Sequence, residues 1–451
     1  MQLAGKRVLV MGMAKSGVAM LRLLREDGAL ATACDTKPLT EMGNLGTQIA
    51  SLAPAFVSQA EVEAGGVAAA GFELVAISPG VPADLPMLEA ARIDGIPVLG
   101  EVELAAPFLK GPVIGVTGTN GKTTTTALAG HLLKTAGIAA LVGGNIGTPV
   151  CEMVSSSREG QWNVLELSSF QLETITSFRA DIAVCLNVTP DHIDRHHTME
   201  NYVAQKRKLF ETQEQRGHAV LNADNAIAAS FADAGPAATH LFTLRDDETH
   251  EVFLREDAIY YRGELLLRRK DIPLAGLHNV ENVMAASLAA LLAGASPAAV
   301  AQGVGSFPGV EHRLEFVRRL DGVLWYNDSK ATNVDAALKA VEAFSQPIWI
   351  ILGGKDKNSD YRPLAEALRG KVRQALLIGQ ATPIIESQIA SLLPTLRCET
   401  ISGAVDFAFR HARQGDVVLL APACASFDQF QSYEQRGRVF KSLVEGLSKE
   451  E

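Results

Sequence analysis

The stretch Gly115-Val-Thr-Gly-Thr-Asn-Gly-Lys-Thr-Thr-Thr-Thr126, GVTGTNGKTTTT, decides how the rest of the chain is read. It ends in the Gly-Lys-Thr of a phosphate-binding loop, but the usual pattern has a glycine five positions before Gly121, and Val116 stands there. The residues before it, PVIGVTG, read as a strand, and those after it, TTTTALAGHLLKTAG, as a helix. In that setting main-chain N–H groups and a helix N-terminus gather a polyphosphate. Lys122 would contact the outer phosphates, and the Thr123 hydroxyl would reach magnesium. The alternative, a tight turn with a solvated lysine, does not need this strand and helix on either side.

Working outward, WNVLELSS, DIAVCLNVT and HAVLNADN are further apolar strands, and Glu166 at the end of the first is a candidate metal carboxylate. DIAVCLNVT runs into Asn187-Val-Thr-Pro-Asp-His-Ile-Asp-Arg-His-His197, where His192 and His196 lie four apart. Pro190 and the Ile193 in place of a glutamate argue against a helical zinc pair and for one histidine near magnesium or phosphate. In the next helix Met199, Tyr202, Val203, Leu209 and Phe210 define an apolar face, and Lys206 falls on it while Lys208 does not. An inward lysine is costly unless paired, so it is a structural ion pair or a functional group.

Upstream, RVLVMG, a glycine turn, the helix VAMLRLLREDG and ALATACD make a βαβ opening, followed by ELVAISPG and IPVLGE. Its turn, Gly12-Met-Ala-Lys-Ser-Gly17, has Ala14 where a dinucleotide fingerprint has its second glycine. Lys15 and Asp35-Thr36-Lys37 still suit a diphosphate with its sugar or base. Downstream, VLWYNDS, PIWIILGG, QALLIG and DVVLLAPAC are strands, and His312, Arg313, Lys330, Lys355 and Lys357 cluster at or beside strand ends. The fold expected is α/β, with three consecutive Rossmann-like domains of mostly parallel sheet: 1–100, 101–307 with the phosphate loop, and 308–451.

The 451 residues exceed what one core usually organises, and 47% hydrophobic with 20% charged residues is ordinary globular composition. A net charge of −10 argues against nucleic acid or an anionic membrane as partner, so an anionic ligand needs locally concentrated cations. Five scattered cysteines without a CxxC pair suggest neither a disulfide framework nor a zinc knuckle and fit a reducing cytosol. No signal peptide is read at the N-terminus, and Val283 to Val300, broken by Gly294 and Pro297, reads as a packed Ala-rich helix and a turn. The expected location is the cytoplasm.

TGTNGKT (117–123), LELSSFQLE (165–173), NVTPDHIDRH (187–196), GLHNVEN (276–282), EHRLE (311–315), NDSKATN (327–333) and PACASFDQF (422–430) together resemble the Mur ligases over essentially the whole chain. TGTNGKT is that family's own form of the phosphate loop, so Val116 is no defect.

The resemblance implies an ATP-dependent amide ligase that adds D-glutamate to UDP-N-acetylmuramoyl-L-alanine through an acyl phosphate, in peptidoglycan precursor synthesis. It implies three parts: a domain binding the UDP substrate, a central ATPase domain of P-loop type, and a C-terminal domain that binds D-glutamate and closes over ATP. By resemblance Lys122, Glu166, His192 and Lys206 are catalytic. Thr123 and Glu166 serve one magnesium, and His192 and Lys206 a second, Lys206 being carbamylated by carbon dioxide. Gly118, Thr119, Asn120, Gly121, Lys122, Thr123, Thr124, Asn279, Asn282, Arg313 and Asp328 would hold ATP. Lys15, Ser16, Gly17, Asp35, Thr36, Lys37, Ser78, Gly80, Asn145 and His192 would hold the UDP substrate, and Lys330, Thr332, Lys357, Ser426, Phe427 and Tyr433 D-glutamate. Lys37 stands where an arginine is often found, and Tyr433 where phenylalanine is expected. Small molecules are the expected partners, with no nucleic acid and no membrane insertion, and the chain is expected to be a monomer.

A folylpolyglutamate-synthase-like ligase, a nucleotide switch and an NAD-dependent oxidoreductase are the rivals. GMAKSG, DSKATN and ACAS disfavour the first. The inward lysine and C-terminal cations disfavour the second, and Ala14 the third.

Overall fold

Most of the apolar runs bounded by glycine or a polar turn form parallel strands, while the Ala-rich run before Gly294 lies in the helix Leu277–Leu292. The structure, a computed structural model, describes residues 2–274, 276–356 and 359–448. Strands Arg7–Met11 (β1), Leu30–Asp35 (β2), Ala55–Ser58 (β3), Leu74–Ile77 (β4) and Val98–Gly100 (β5) form a parallel sheet in the order β3-β2-β1-β4-β5. The order reverses beside β1, which puts the Gly12–Gly17 turn at a switch point where α/β sheets bind ligands. A side chain at Gly17 would come within 2.0 Å of the Gly12 carbonyl oxygen, so this close helix-to-turn approach needs glycine.

The second sheet contains Val113–Thr117 (β6), Ala140–Gly144 (β7), Trp162–Glu166 (β8), Ile182–Cys185 (β9), His218–Asn222 (β10), Ala238–Thr243 (β11), Val252–Arg255 (β12), Ala258–Tyr261 (β13) and Glu264–Arg268 (β14). Its order is β14-β13-β12-β11-β10-β9-β6-β8-β7, parallel from β7 to β12, with an antiparallel meander at the β14 edge. The buried Val164, Val184 and Ile114 alternate with other apolar residues on strands covered on both faces.

The third sheet, Glu315–Leu320 (β15), Val323–Asn327 (β16), Ile348–Gly353 (β17), Val372–Ile378 (β18), Thr395–Glu399 (β19) and Val417–Leu420 (β20), runs β15-β16-β20-β17-β18-β19. Only β15 is antiparallel to its neighbour.

By contact the chain divides into two compact units, Met1–Ile272 with Val280–Phe307, and Pro273–Asn279 with Pro308–Glu451. The first unit holds two sheets because one core runs through both: Leu21 and Leu24 beneath the first sheet join Val102, Leu104, Val150 and Met153. Burying such side chains is worth roughly 1.5–3 kcal/mol each. The third sheet has its own cores on its two faces, one including Ile350, Leu377 and Leu419 and the other Trp325, Ile351 and Phe440. Among the described residues no helix is long and apolar enough to cross a membrane.

Candidate functional site

The phosphate loop leaves the carboxyl end of β6 and enters the helix Lys122–Thr135. Gly118 and Gly121 take φ of 146° and 85°, conformations that glycine adopts without strain, and a side chain at Gly121 would strike Asn282 Oδ1. The loop is braced from the next strand over. Asn187 accepts from the Asn120 amide at 2.9 Å through Oδ1, and its carbonyl accepts from the Thr119 amide at 2.9 Å. The Thr119 hydroxyl lies 3.0 Å from the Tyr202 hydroxyl and donates to the Thr189 carbonyl at 3.1 Å. Thr123 and Thr124 are buried at the start of the helix.

Lys122 Nζ donates to the carbonyls of Gly118 (2.9 Å) and Thr119 (2.8 Å). Lys206, 1% exposed, reaches the same Gly118 carbonyl at 2.8 Å from the helix Met199–Glu211. Burial, with the charge of Lys122 adding to it, pulls the Lys206 amine down to about 7. The inward placement read from the apolar face is therefore found, whereas Lys208 turns to the Glu173 carbonyl at 2.6 Å.

Glu166 ends β8 and is 2% exposed. Its Oε1 accepts from Asn145 Nδ2 at 2.9 Å, while Oε2 is buried with no hydrogen-bond partner among the described residues. A buried carboxylate oxygen left open in this way fits a cation. No three His, Cys, Asp or Glu side chains among the described residues group as a metal cage. Magnesium needs none, since one or two carboxylates with phosphate oxygens and water suffice.

His192 precedes the single-turn helix Ile193–His196, with φ of 52°, and His197 follows it with φ of 67°. Two left-handed non-glycine residues within six positions need outside support. Arg195 supplies it: its guanidinium donates to Glu173 at 3.0 and 2.6 Å and to the Val81 carbonyl at 2.8 Å, and lies 5.0 Å from the centre of the Phe170 ring. Phe170 packs on His192 with ring centres 4.8 Å apart. His196 is buried 3.0 Å from the Ser169 hydroxyl and His192 is exposed, so the two do not form a zinc pair.

In the first sheet Asp35 accepts from the Met13 amide at 2.7 Å and the Lys37 amide at 3.0 Å, and Ser78 donates to the Gly12 carbonyl at 2.6 Å. Ser16 donates to the buried Glu101 at 2.6 Å, and Lys15 to the Gly147 carbonyl at 3.2 Å. Thr36, Lys37 and Gly80 are exposed at this sheet's carboxyl ends.

Asn279 and Asn282 are buried on the helix Leu277–Leu292. Within the second unit, Asp328 follows β16, and burial raises its carboxyl to about 7 despite a Leu314 amide and the charges of Arg313 and Lys330. Lys330 Nζ sits 5.6 Å from the centre of the Tyr433 ring, so a tyrosine serves as an aromatic face there. Ser426 is buried, Thr332 is half-buried, Phe427 is exposed, and Lys357 lies outside the described residues.

The sequence reading missed Asn187, Tyr202, Arg195 and Glu173 as braces. The only local signal was Tyr202 one turn before Lys206 on the same face.

Comparison with known proteins places these features in a group. Residues 116–290 match the Mur ligase middle domain and residues 312–424 the Mur ligase, glutamate ligase domain. Over 450 residues, 99% of each chain, the sequence is 54% identical to a protein of Solibacter usitatus named UDP-N-acetylmuramoylalanine--D-glutamate ligase. Proteins of the same name from Koribacter versatilis (46%, all of both chains) and Myxococcus xanthus (44%, 99% of both) are also similar. Among solved structures, a UDP-N-acetylmuramate-alanine ligase from Thermotoga maritima aligns with a TM-score of 0.61 at 18% identity, over 98% of this chain and 99% of that one. A pseudomurein peptide ligase type C from Methanothermus fervidus gives 0.58 at 15%, over 98% and 100%. These two likenesses bear on the fold.

Proposed function

The chain belongs to the Mur ligase family, and from that membership we propose that it is the ATP-dependent ligase joining D-glutamate to UDP-N-acetylmuramoyl-L-alanine. The observation that carries the chemistry is the meeting of phosphate loop, open Glu166 oxygen and buried Lys206 at the carboxyl ends of β6 and β8. The full-length likeness to proteins of that name carries the substrate.

A carboxylate is a poor electrophile. In this reading its oxygen attacks the γ-phosphorus of ATP, ADP leaves, and an acyl phosphate forms. The D-glutamate amine then attacks the acyl carbon, a C–N bond replaces the C–O bond to phosphate, and the amine proton passes to solvent. The loop amides and Lys122 bind and orient the phosphates, supported by Asn187 and Tyr202. Thr123 and Glu166 would hold one magnesium, and His192 with a carbamylated Lys206 a second; magnesium neutralises phosphate charge as it shifts. A lysine lowered to about 7 has the neutral amine that takes up carbon dioxide and loses a proton. Arg195, Glu173 and Phe170 hold the His192 turn.

The turn of the first sheet, with Lys15, Ser16, Gly17, Asp35, Thr36, Lys37, Ser78, Gly80 and Asn145, is assigned to the UDP substrate. Asn279, Asn282, Arg313 and Asp328 are assigned to the nucleotide. Lys330, Thr332, Lys357, Ser426, Phe427 and Tyr433 are assigned to D-glutamate, whose carboxylates pair with cations and hydroxyls. Residues 1–100, 101–307 and 308–451 are the corresponding domains, and a cytoplasmic monomer is proposed.

The test is phosphate release with ATP, magnesium and UDP-N-acetylmuramoyl-L-alanine, comparing D-glutamate with L-glutamate, L-lysine and meso-diaminopimelate. Release that needs D-glutamate, with the extended UDP product seen by mass, is expected. Equal release without amino acid, or with a different one, contradicts the assignment.

A further inference from the structure

The helix Tyr433–Glu445 of the second unit carries a side chain with no role so far. Arg436 is 1% exposed and is among the largest fully buried side chains of the molecule. It makes no ion pair among the described residues, and three of its four hydrogen bonds go to main-chain carbonyls and one to a hydroxyl. Nε donates to Ser329 Oγ at 3.0 Å, Nη2 to the Ser329 carbonyl at 2.8 Å, and Nη1 and Nη2 to the Cys424 carbonyl at 3.2 and 3.1 Å.

Three strand ends meet at this guanidinium. Ser329 follows β16 and Cys424 follows β20. The third is Gly354 after β17, with φ of 138°, where a side chain would come within 3.2 Å of Nη1 and 2.2 Å of the Ala425 carbonyl oxygen. Ala423, beside Cys424, holds φ of 56°, a strained value for a residue with a side chain, and its amide donates to the Ala331 carbonyl at 2.9 Å. Ser329 Oγ in turn donates to the Tyr433 carbonyl at 2.8 Å, tying the helix start to the same loop.

A buried, unpaired guanidinium is expensive to keep, and a hydrophobic side chain of similar volume would usually be cheaper. Burial lowers the group only to about 10, so it stays charged at neutral pH. The segments it fastens carry Lys330 and Thr332 on one side and Ser426 on the other. A fixed positive charge with a rigid fork is what an anionic ligand bound across those segments requires.

We infer that Arg436 is a positioning residue for the amino-acid acceptor, locking the 327–333 and 422–427 loops into the geometry that receives a dicarboxylate and adding a buried positive charge beneath it. This rests on the D-glutamate reading given above. It separates Arg436 from residues that touch substrate, since the four hydrogen bonds it makes go to main-chain and hydroxyl oxygens.

The test uses the full-length chain with Arg436→Lys, which keeps the charge and loses the fork, and Arg436→Gln, which loses both. Melting temperatures and KM values for D-glutamate, ATP and the UDP substrate are measured for each. The expected result is a D-glutamate KM raised about tenfold in Arg436→Lys and further in Arg436→Gln, with the other two KM values within about twofold of wild type. Should Arg436→Gln not fold, Arg436→Lys decides alone. Unchanged D-glutamate KM, or all three KM values rising in parallel with a lower melting temperature, overturns the inference and leaves Arg436 a structural strut. A wild-type chain that ligates some other amino acid and not D-glutamate refutes the proposed function, and this inference falls with it.

Discussion

Lys206 and Arg436 make an instructive pair. Both are 1% exposed, both lie behind a loop that follows a strand's carboxyl end, neither forms an ion pair among the described residues, and both donate to loop carbonyls. Burial lowers both, yet the lysine reaches about 7 while the arginine stops at about 10. One cation can therefore discharge at neutral pH and the other cannot. A lysine suits a position where the charge must be replaced during the protein's working life, and an arginine suits one where it must persist.

The sharpest way to break that comparison is to exchange the first cation. Lys206→Ala is expected to lose turnover by about a thousandfold or more, in keeping with removal of a group that organises metal and phosphate, and to regain part of it with a short-chain carboxylate. Lys206→Arg, which stays protonated, is expected to be as inactive as the alanine variant in the same steady-state assay. Activity in the arginine variant would mean that a cation suffices there and that the two positions do not differ in kind.

Glu166→Gln is expected to lose about a hundredfold in kcat and to need more magnesium for half-maximal rate, because the amide cannot supply the anionic oxygen now left open. Titrating magnesium against initial rate reads both effects. A variant with unchanged magnesium dependence would turn the open oxygen into a packing detail.

A separate effect lies in stability and concerns Asp328, beside Ser329. Its carboxyl is raised from 3.8 to about 7 in the folded chain, so the folded state holds the proton more tightly than the unfolded one. Its contribution is full below about pH 4 and is lost as pH rises to about 7. Denaturation midpoints of wild type minus Asp328→Asn should therefore fall across that window and level off above it. A difference independent of pH would mean that the carboxyl is not raised.

Much of this was legible from residues close together in sequence. The phosphate loop, the strands on either side of it and the inward Lys206 each announce themselves within one element, by turn glycines, apolar runs or a helical stripe. The edges were less so. Ala55–Ser58, Thr395–Glu399 and the antiparallel Glu315–Leu320 are short or charged strands with half-exposed faces, and the Val252–Arg268 meander lacks a continuous apolar run. Braces were hidden for a different reason: Asn187 to Asn120 spans 67 residues and Arg195 to Val81 spans 114. Arg436 was not singled out in the sequence, although Phe440 and Val444 continue its stripe at four-residue steps and both are buried.

The most direct measurement of the central claim follows oxygen. UDP-N-acetylmuramoyl-L-alanine labelled with oxygen-18 in its terminal carboxylate is turned over with ATP, magnesium and D-glutamate, and the released phosphate is analysed by mass. Activation through an acyl phosphate predicts one labelled oxygen in each phosphate formed. Unlabelled phosphate accompanying product would contradict it.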